Sequence, residues 1–252
     1  MSDVNRIKAE AIKKIFSVFG QFITLPLAGK VTELRPVLEL IRKDRVPASP
    51  DHIGRMLPDL LVIMMNPGSS RPLDRHYRSQ TVAKARDIDP LGQLTPTRPD
   101  NTQYQIMRIL LARDLGHARV LNLSDLRETK SPVFIQRFQS LEGHHPEGSA
   151  HSLFSPLRTE ERRIRMGGDA SIPLLVGWGR HPGLLPLARQ CLATLVTNRI
   201  VGLEIPGYPG LYAHPSPMMQ KAKEAWVNAV LQRLPHAVAS RTADPLETIH
   251  SK

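Results

Sequence analysis

The apolar residues of this chain gather into four short solid runs, separated by stretches with helical spacing. The clearest run is Leu60-Leu-Val-Ile-Met-Met65, stopped abruptly by Asn66-Pro67-Gly68. A run of that length with no polar alternation, bounded by Pro-Gly, predicts a strand buried on both faces and then a sharp turn. Arg119-Val-Leu-Asn-Leu123, Ser171-Ile-Pro-Leu-Leu-Val-Gly-Trp-Gly179 and Ile200-Val-Gly-Leu-Glu204 are the other three. Between and after them, helices are predicted over 101–115 (capped by Asn101-Thr102 and ended by Gly116), 186–195 and 219–234. Strands alternating with helices give an α/β fold, with a mostly parallel four-stranded sheet flanked by helices.

Ahead of this core, Ile7, Ala11, Ile15 and Val18 fall on one stripe with Lys8, Lys13 and Lys14 elsewhere, which predicts a basic amphipathic helix over residues 2–19. A second helix is expected over 31–43 and a linker over 46–50. The expected organisation is an N-terminal helical extension (1–50), the α/β domain (51–236) and a disordered tail (237–252). Residues 70–101 are rich in Pro, Arg and Asp with little periodicity, a length of connection usually functional or mobile. Residues 127–168 look irregular, with one or two short helices.

Composition narrows the partner. Thirty-four Lys and Arg against 23 Asp and Glu leave a formal net charge of +11, which favours a polyanion, nucleic acid first. The single cysteine, Cys191, excludes a disulfide framework and leaves no cluster for zinc or iron–sulfur. No run is long enough to span a bilayer and the start lacks a signal pattern, so a cytoplasmic protein with no membrane partner and no cofactor is expected. Gly143-His-His-Pro146 with His151 lacks a carboxylate pattern for metal and reads as a solvated loop.

Four strand ends carry polar or glycine-rich turns: Asn66-Pro-Gly, Asn122-Leu-Ser, Gly177-Trp-Gly and His214-Pro-Ser-Pro. In an open parallel sheet such ends share one rim, where ligands bind. An asparagine amide offers an acceptor and two donors to a base edge, and a near-neutral histidine can donate to a leaving group that is becoming anionic. Each residue also has a plain reading: Asn122 as a turn cap, His214 as a turn histidine, Trp178 as packing.

In their order along the chain, Asn66-Pro67-Gly68, Asn122 and His214-Pro-Ser-Pro217 resemble the motifs of the uracil-DNA glycosylase superfamily, although the segment between Ser70 and Asp100 is longer than the resemblance implies. The closest branches are the single-strand-selective and mismatch-specific ones. Residues 58–234 also resemble a bacterial domain family of unknown function, through Asn66-Pro-Gly68, Asp100-Asn-Thr102, Asn122-Leu123 with Arg127, Trp178-Gly179 and His214-Pro215. The resemblance implies a monofunctional DNA glycosylase acting by base flipping, on uracil or on a modified base such as those of phage DNA, in repair or in defence. It implies Asn66 and His214 as catalytic residues and Asn122, with Gly68 and Ser216, at the base. Tyr77 and Tyr104 are candidates to stack on the base, and Arg71, Arg75, Arg78, Lys221 and Lys223 to contact phosphates. Met218 or Met219 is either an apolar wedge or core. Asp74, Asp87 or Asp89 would supply any water-activating carboxylate. The alternatives are a non-catalytic nucleic-acid-binding protein that keeps the pocket, and a hydrolase acting on free nucleosides or nucleotides.

Overall fold

The structure, a computed structural model, describes residues 4–144, 148–168, 171–195 and 199–235. It is an α/β protein built on one large mixed sheet with helices on both faces. The four anticipated strands all form: β3 (Leu60–Met64), β7 (His117–Asn122), β8 (Leu174–Gly177) and β9 (Ile200–Gly202). They pair in parallel in the order β7-β3-β8-β9. The expectation of a four-stranded sheet is nevertheless wrong, because β7 is not an edge.

Beyond β7 lies the segment expected to be helical. Residues 16–27 and 30–42 are instead two long antiparallel strands, β1 (Phe16–Leu27) and β2 (Lys30–Arg42), and β2 pairs with β7. Only Ala9–Ile15 (α1) is helical there, burying Ile12. The helical stripe is outweighed by local chemistry. Phe16 to Leu27 is rich in aromatic and β-branched residues, and Pro36 would break a helix over 31–43. Ala28 and Gly29, at φ 49° and 74°, make the two-residue turn with positive φ that joins twisted strands. The N-terminal fifth of the chain is therefore part of the sheet, not an extension to it.

Residues 70–100 continue past β1. Strands β4 (Arg71–Pro72) and β6 (Thr95–Arg98) complete that edge, and β5 (Gln80–Thr81) pairs with β1, making nine strands among the described residues. The long polar connection thus closes the sheet edge. The helices are α2 (Asn101–Ala112), α3 (Ser131–His144), α4 (Thr159–Met166), α5 (Leu185–Leu192) and α6 (Gln220–Arg233). The region expected to be irregular holds the 14-residue α3, and the tail at 237–252 lies outside the described residues. No helix among the described residues is long and apolar enough to cross a membrane.

β3 is buried on both faces. Leu61 and Ile63 join a core with Phe134 and Phe138 of α3 and Leu187 of α5, while Leu60, Val62 and Met64 join a core with Ile106 and Ile109 of α2 and Trp226 and Val230 of α6. Trp178 is fully buried and donates its indole N–H to Gly210 O, so it is a packing residue. His151, expected in a solvated loop, is also fully buried, 6.0 Å from the Phe138 ring.

A charged network crosses the first core. Arg158 donates to Asp125 at 2.5 Å and to both oxygens of Glu161 at 2.7 Å, and Arg165 reaches the same Glu161 at 2.7 Å. Arg158 and Asp125 are wholly buried, so removing one leaves its partner's charge without compensation. Arg158→Ala is expected to lower stability by about 3–5 kcal/mol in urea unfolding. This network holds the 124–128 loop, whose Asp125 O accepts from Arg35 N.

Candidate active site

The order of the parallel strands places the reversal of chain direction across the sheet at β3, whose neighbours β7 and β8 are reached on opposite sides. The crevice beyond the carboxyl ends at such a point is where open α/β sheets bind ligands. Here it is a cavity of about 260 Å³ lined by Asn66, Gly68, Asn122, His214, Asp100 and Arg35, among others. That volume sits just under the roughly 300–1,000 Å³ of ordinary ligand clefts, which suits one base-sized group.

Each wall has a cause in the chain. The parallel register sets Asn122 beside Met64, and Leu123 N and Ser124 N continue the pairing to Met64 O and Met65 O. Asn122 is thereby fully buried at the cavity floor, and neither its amide nitrogen nor its amide oxygen has a hydrogen-bond partner. A turn cap would be bonded to its own turn, so the plain reading of Asn122 does not hold. An orphaned buried amide costs about 1–3 kcal/mol per group and calls for a ligand or water that supplies both complements.

Asn66 stands where β3 ends. Its amide nitrogen donates to Leu126 O at 3.2 Å and Glu128 O at 2.6 Å. Two carbonyls can be matched only by the NH₂ group, so the side-chain oxygen is the atom left to accept from a ligand. Gly68, at φ 63°, turns the chain directly after; a Cβ there would lie 3.1 Å from Asp100 Oδ2. Asp100 caps α2, accepting from Thr102 N at 2.8 Å through Oδ1 in a capping box with Gln103. Its Oδ2 is thus directed toward the Gly68 turn.

His214 arrives from the far side, held on either flank. Ala213 donates to Leu203 O and accepts from the Trp226 indole, and Gly179 N donates to Tyr212 O. At Gly177 a Cβ would meet Ala213 O at 3.1 Å and Pro215 Cδ at 3.2 Å, so the end of β8 must be bare for the histidine loop to seat. Ser216 N donates to His214 Nδ1 at 3.1 Å. That bond needs a lone pair on Nδ1, which puts the proton of the neutral ring on Nε2. Burial pushes the His214 pKa below its ordinary 6.5, with the Asp100 charge acting the other way.

Arg35 and Asp100 are the residues sequence reasoning missed. Arg35 lies in a stretch whose local pattern reads as helix, and Asp100 carries no signal beyond its place in a motif. In β2, Arg35 and Pro36 together oppose the single residue Phe22, a bulge between the pairs Ile23–Leu34 and Gln21–Val37. Proline in an inner strand is found at such bulges, which re-aim neighbouring side chains. The internal Pro36, followed by alternating Val37-Leu-Glu-Leu, is the signal that could have found the strand.

The remaining candidates sit elsewhere. Tyr77 packs edge-on to Phe22, with ring centroids 6.0 Å apart, and lines a separate cleft with Arg71, Arg75 and Arg98. Tyr104 is buried in the core under α2. Neither ring lines the cavity, and no Phe, Tyr or Trp is among the described residues that do. Of the loop carboxylates, Asp74 and Asp89 cap their own turns, accepting from His76 N and Leu91 N, and Asp87 lies 3.9 Å from Arg86. None lines the cavity; Asp100 does. Ser216 serves through its backbone. Met218 and Met219 are 98% and 72% exposed, which removes the core reading for both. Arg71, Arg75, Arg78 and Lys221 are exposed, and Lys223 is half-buried. Cys191 is buried and its thiol pKa is raised by that burial, so it is chemically quiet. Among the described residues no cluster of three or more His, Cys, Asp or Glu is placed to hold a metal. No family model, no curated protein and no solved structure matches this chain.

Proposed function

We propose that this protein is a DNA glycosylase that flips one base into the cavity and hydrolyses its bond to the sugar, leaving an abasic site. The observation that carries the reading is the fully buried Asn122 amide with no partner, facing a base-sized cavity shared with Asn66, His214 and Asp100. An amide pair of donor and acceptor is the complement of a base edge.

The steps follow from the groups present. Extruding a nucleotide costs roughly a few kcal/mol, repaid by the pocket. Asn122 binds the base edge. As the sugar C1′–N bond breaks, its electron pair moves onto the base, and the neutral His214 donates Nε2–H to a base carbonyl that is becoming anionic. A water held between the Asn66 side-chain oxygen and Asp100 Oδ2 attacks C1′. Asn66 cannot take the proton, so Asp100 takes it, and the released base anion is protonated afterwards. DNA would lie across the mouth, with Arg71 and Arg75 following the Gly68-Ser69 rim on one side. Lys221, in the first turn of α6, follows the histidine loop on the other, and the exposed Met218 would fill the vacated stack.

The test is incubation with uracil-containing oligonucleotides and with phage DNA carrying modified cytosines, followed by alkaline cleavage of abasic sites. Breaks on one substrate that are absent with Asn66→Ala and His214→Ala support the reading. Tight binding with no breaks on any substrate replaces it with a non-catalytic base-recognition protein. The phosphate contacts have their own signature. Arg71→Ala with Arg75→Ala is expected to weaken binding to all sequences alike and to lower the log–log salt slope by roughly one for each phosphate no longer neutralised, read by fluorescence anisotropy across a salt series.

A further inference from the structure

Arg35 is 1% exposed, and its Nε and Nη1 are buried without a hydrogen-bond partner. No carboxylate among the described residues stands within ion-pair distance of it, in contrast to the buried Arg119 and Arg158, each closed against a glutamate. Burial pushes its pKa down only to about 10, since Asp100 and Asp125 act in the other direction, so it is a cation at neutral pH. A buried cation without a partner is costly, and proteins ordinarily pair such groups.

The carboxylates facing the cavity act on it at a distance and close no ion pair with it. Asp100 gives Oδ1 to the first turn of α2, and Glu128 gives Oε1 to Thr129 N at 2.8 Å and Lys130 N at 3.0 Å, ahead of α3. Both carboxylates are thus engaged by backbone N–H groups at the starts of helices, whose dipoles add positive potential at the same cavity. Arg35, at the bulge of β2, and Asn122, at the end of β7, line the same cavity. The one cavity therefore holds an amide able to read a pairing edge and a guanidinium that offers donors only.

Resting on the glycosylase reading, we propose that Arg35 determines specificity by pairing with an acidic substituent on the flipped base, so that the preferred substrate is a modified base bearing a carboxylate or similar anionic group. A neutral base would leave the cation unpaired, and a base presenting an exocyclic amine to it would set donor against donor. The same charge favours the base as it leaves with its electron pair.

The test is calorimetric titration of the full chain with two free bases, uracil and uracil carrying a carboxylate at C5, a position that leaves the pairing edge to Asn122. The carboxylated base is expected to bind at least about tenfold more tightly. Arg35→Gln should abolish that preference, and Arg35→Lys should keep part of it, since the charge survives without the planar fork. Equal affinity of the native chain for both bases, binding of neither, or a preference that persists in Arg35→Gln would each overturn the assignment. The abasic-site assay separates the two claims. An Arg35-dependent preference without strand breaks leaves the pocket assignment standing and removes the activity. Excision of uracil with no preference for the carboxylated base does the reverse.

Discussion

Replacement of His214 by alanine is expected to lower single-turnover excision about 10²–10³-fold, the usual loss when one donor to a developing oxyanion is removed. DNA affinity should stay nearly unchanged, because the proposed role of the imidazole is at the base rather than at the phosphates. The pH dependence is specific to this geometry. The Ser216 N–H occupies Nδ1, so on the proposed mechanism the active species is the neutral ring donating from Nε2. Its pKa lies below 6.5. The ring is neutral above that pKa and gains a charge as pH falls through it, disturbing the Ser216 contact. Excision attributable to His214 should persist as pH is lowered past 6.5 and decline only further into the acid range, and the His214→Ala profile should lack that limb. An acid limb centred above 6.5 in the native protein would contradict the assignment.

Asp100→Asn is expected to cost about 10²–10⁴ in the rate of bond hydrolysis, the range for loss of a positioned general base. Asparagine is the informative replacement. Asp100 also caps α2 through Oδ1, and asparagine caps a helix about as well as aspartate. Thermal unfolding should therefore shift little, so that a rate loss reads as chemistry. If Asp100→Asn excises at the native rate, catalysis rests on leaving-group stabilisation alone, with Asn66 merely holding the water. A variant in which the rate and the melting temperature fall together would assign Asp100 to structure.

Much of the site is legible in the chain because it sits where solid apolar runs stop. A run such as Leu60–Met65 specifies a strand buried on both faces whatever surrounds it, and a polar residue at its end has one place to go, the rim. Asn66 and Asn122 are found this way and His214 by its His-Pro-Ser-Pro turn, and the structure lines one cavity with all three. No such rule decides the aromatic candidates. Residue type alone singles out Tyr77 and Tyr104, and packing carries one against Phe22 and the other into the core.

The hydrophobic pattern by itself determined the four parallel strands, the helices between them and the polar residues at their ends. These depend on local burial and on turn residues, which act over a few positions. Tertiary structure alone decided the rest. Residues 31–43 can be read as a helix from their apolar positions, and Pro36 argues against that locally, but which strand the segment joins is decided only by the pairing of β2 with the distant β7. Arg35 reaches the cavity only because that pairing exists and bulges at Pro36. Asp100 becomes a pocket carboxylate only because α2 begins against the Gly68 turn. Both depend on contacts between segments far apart in the chain, and those contacts are set when the whole sheet closes.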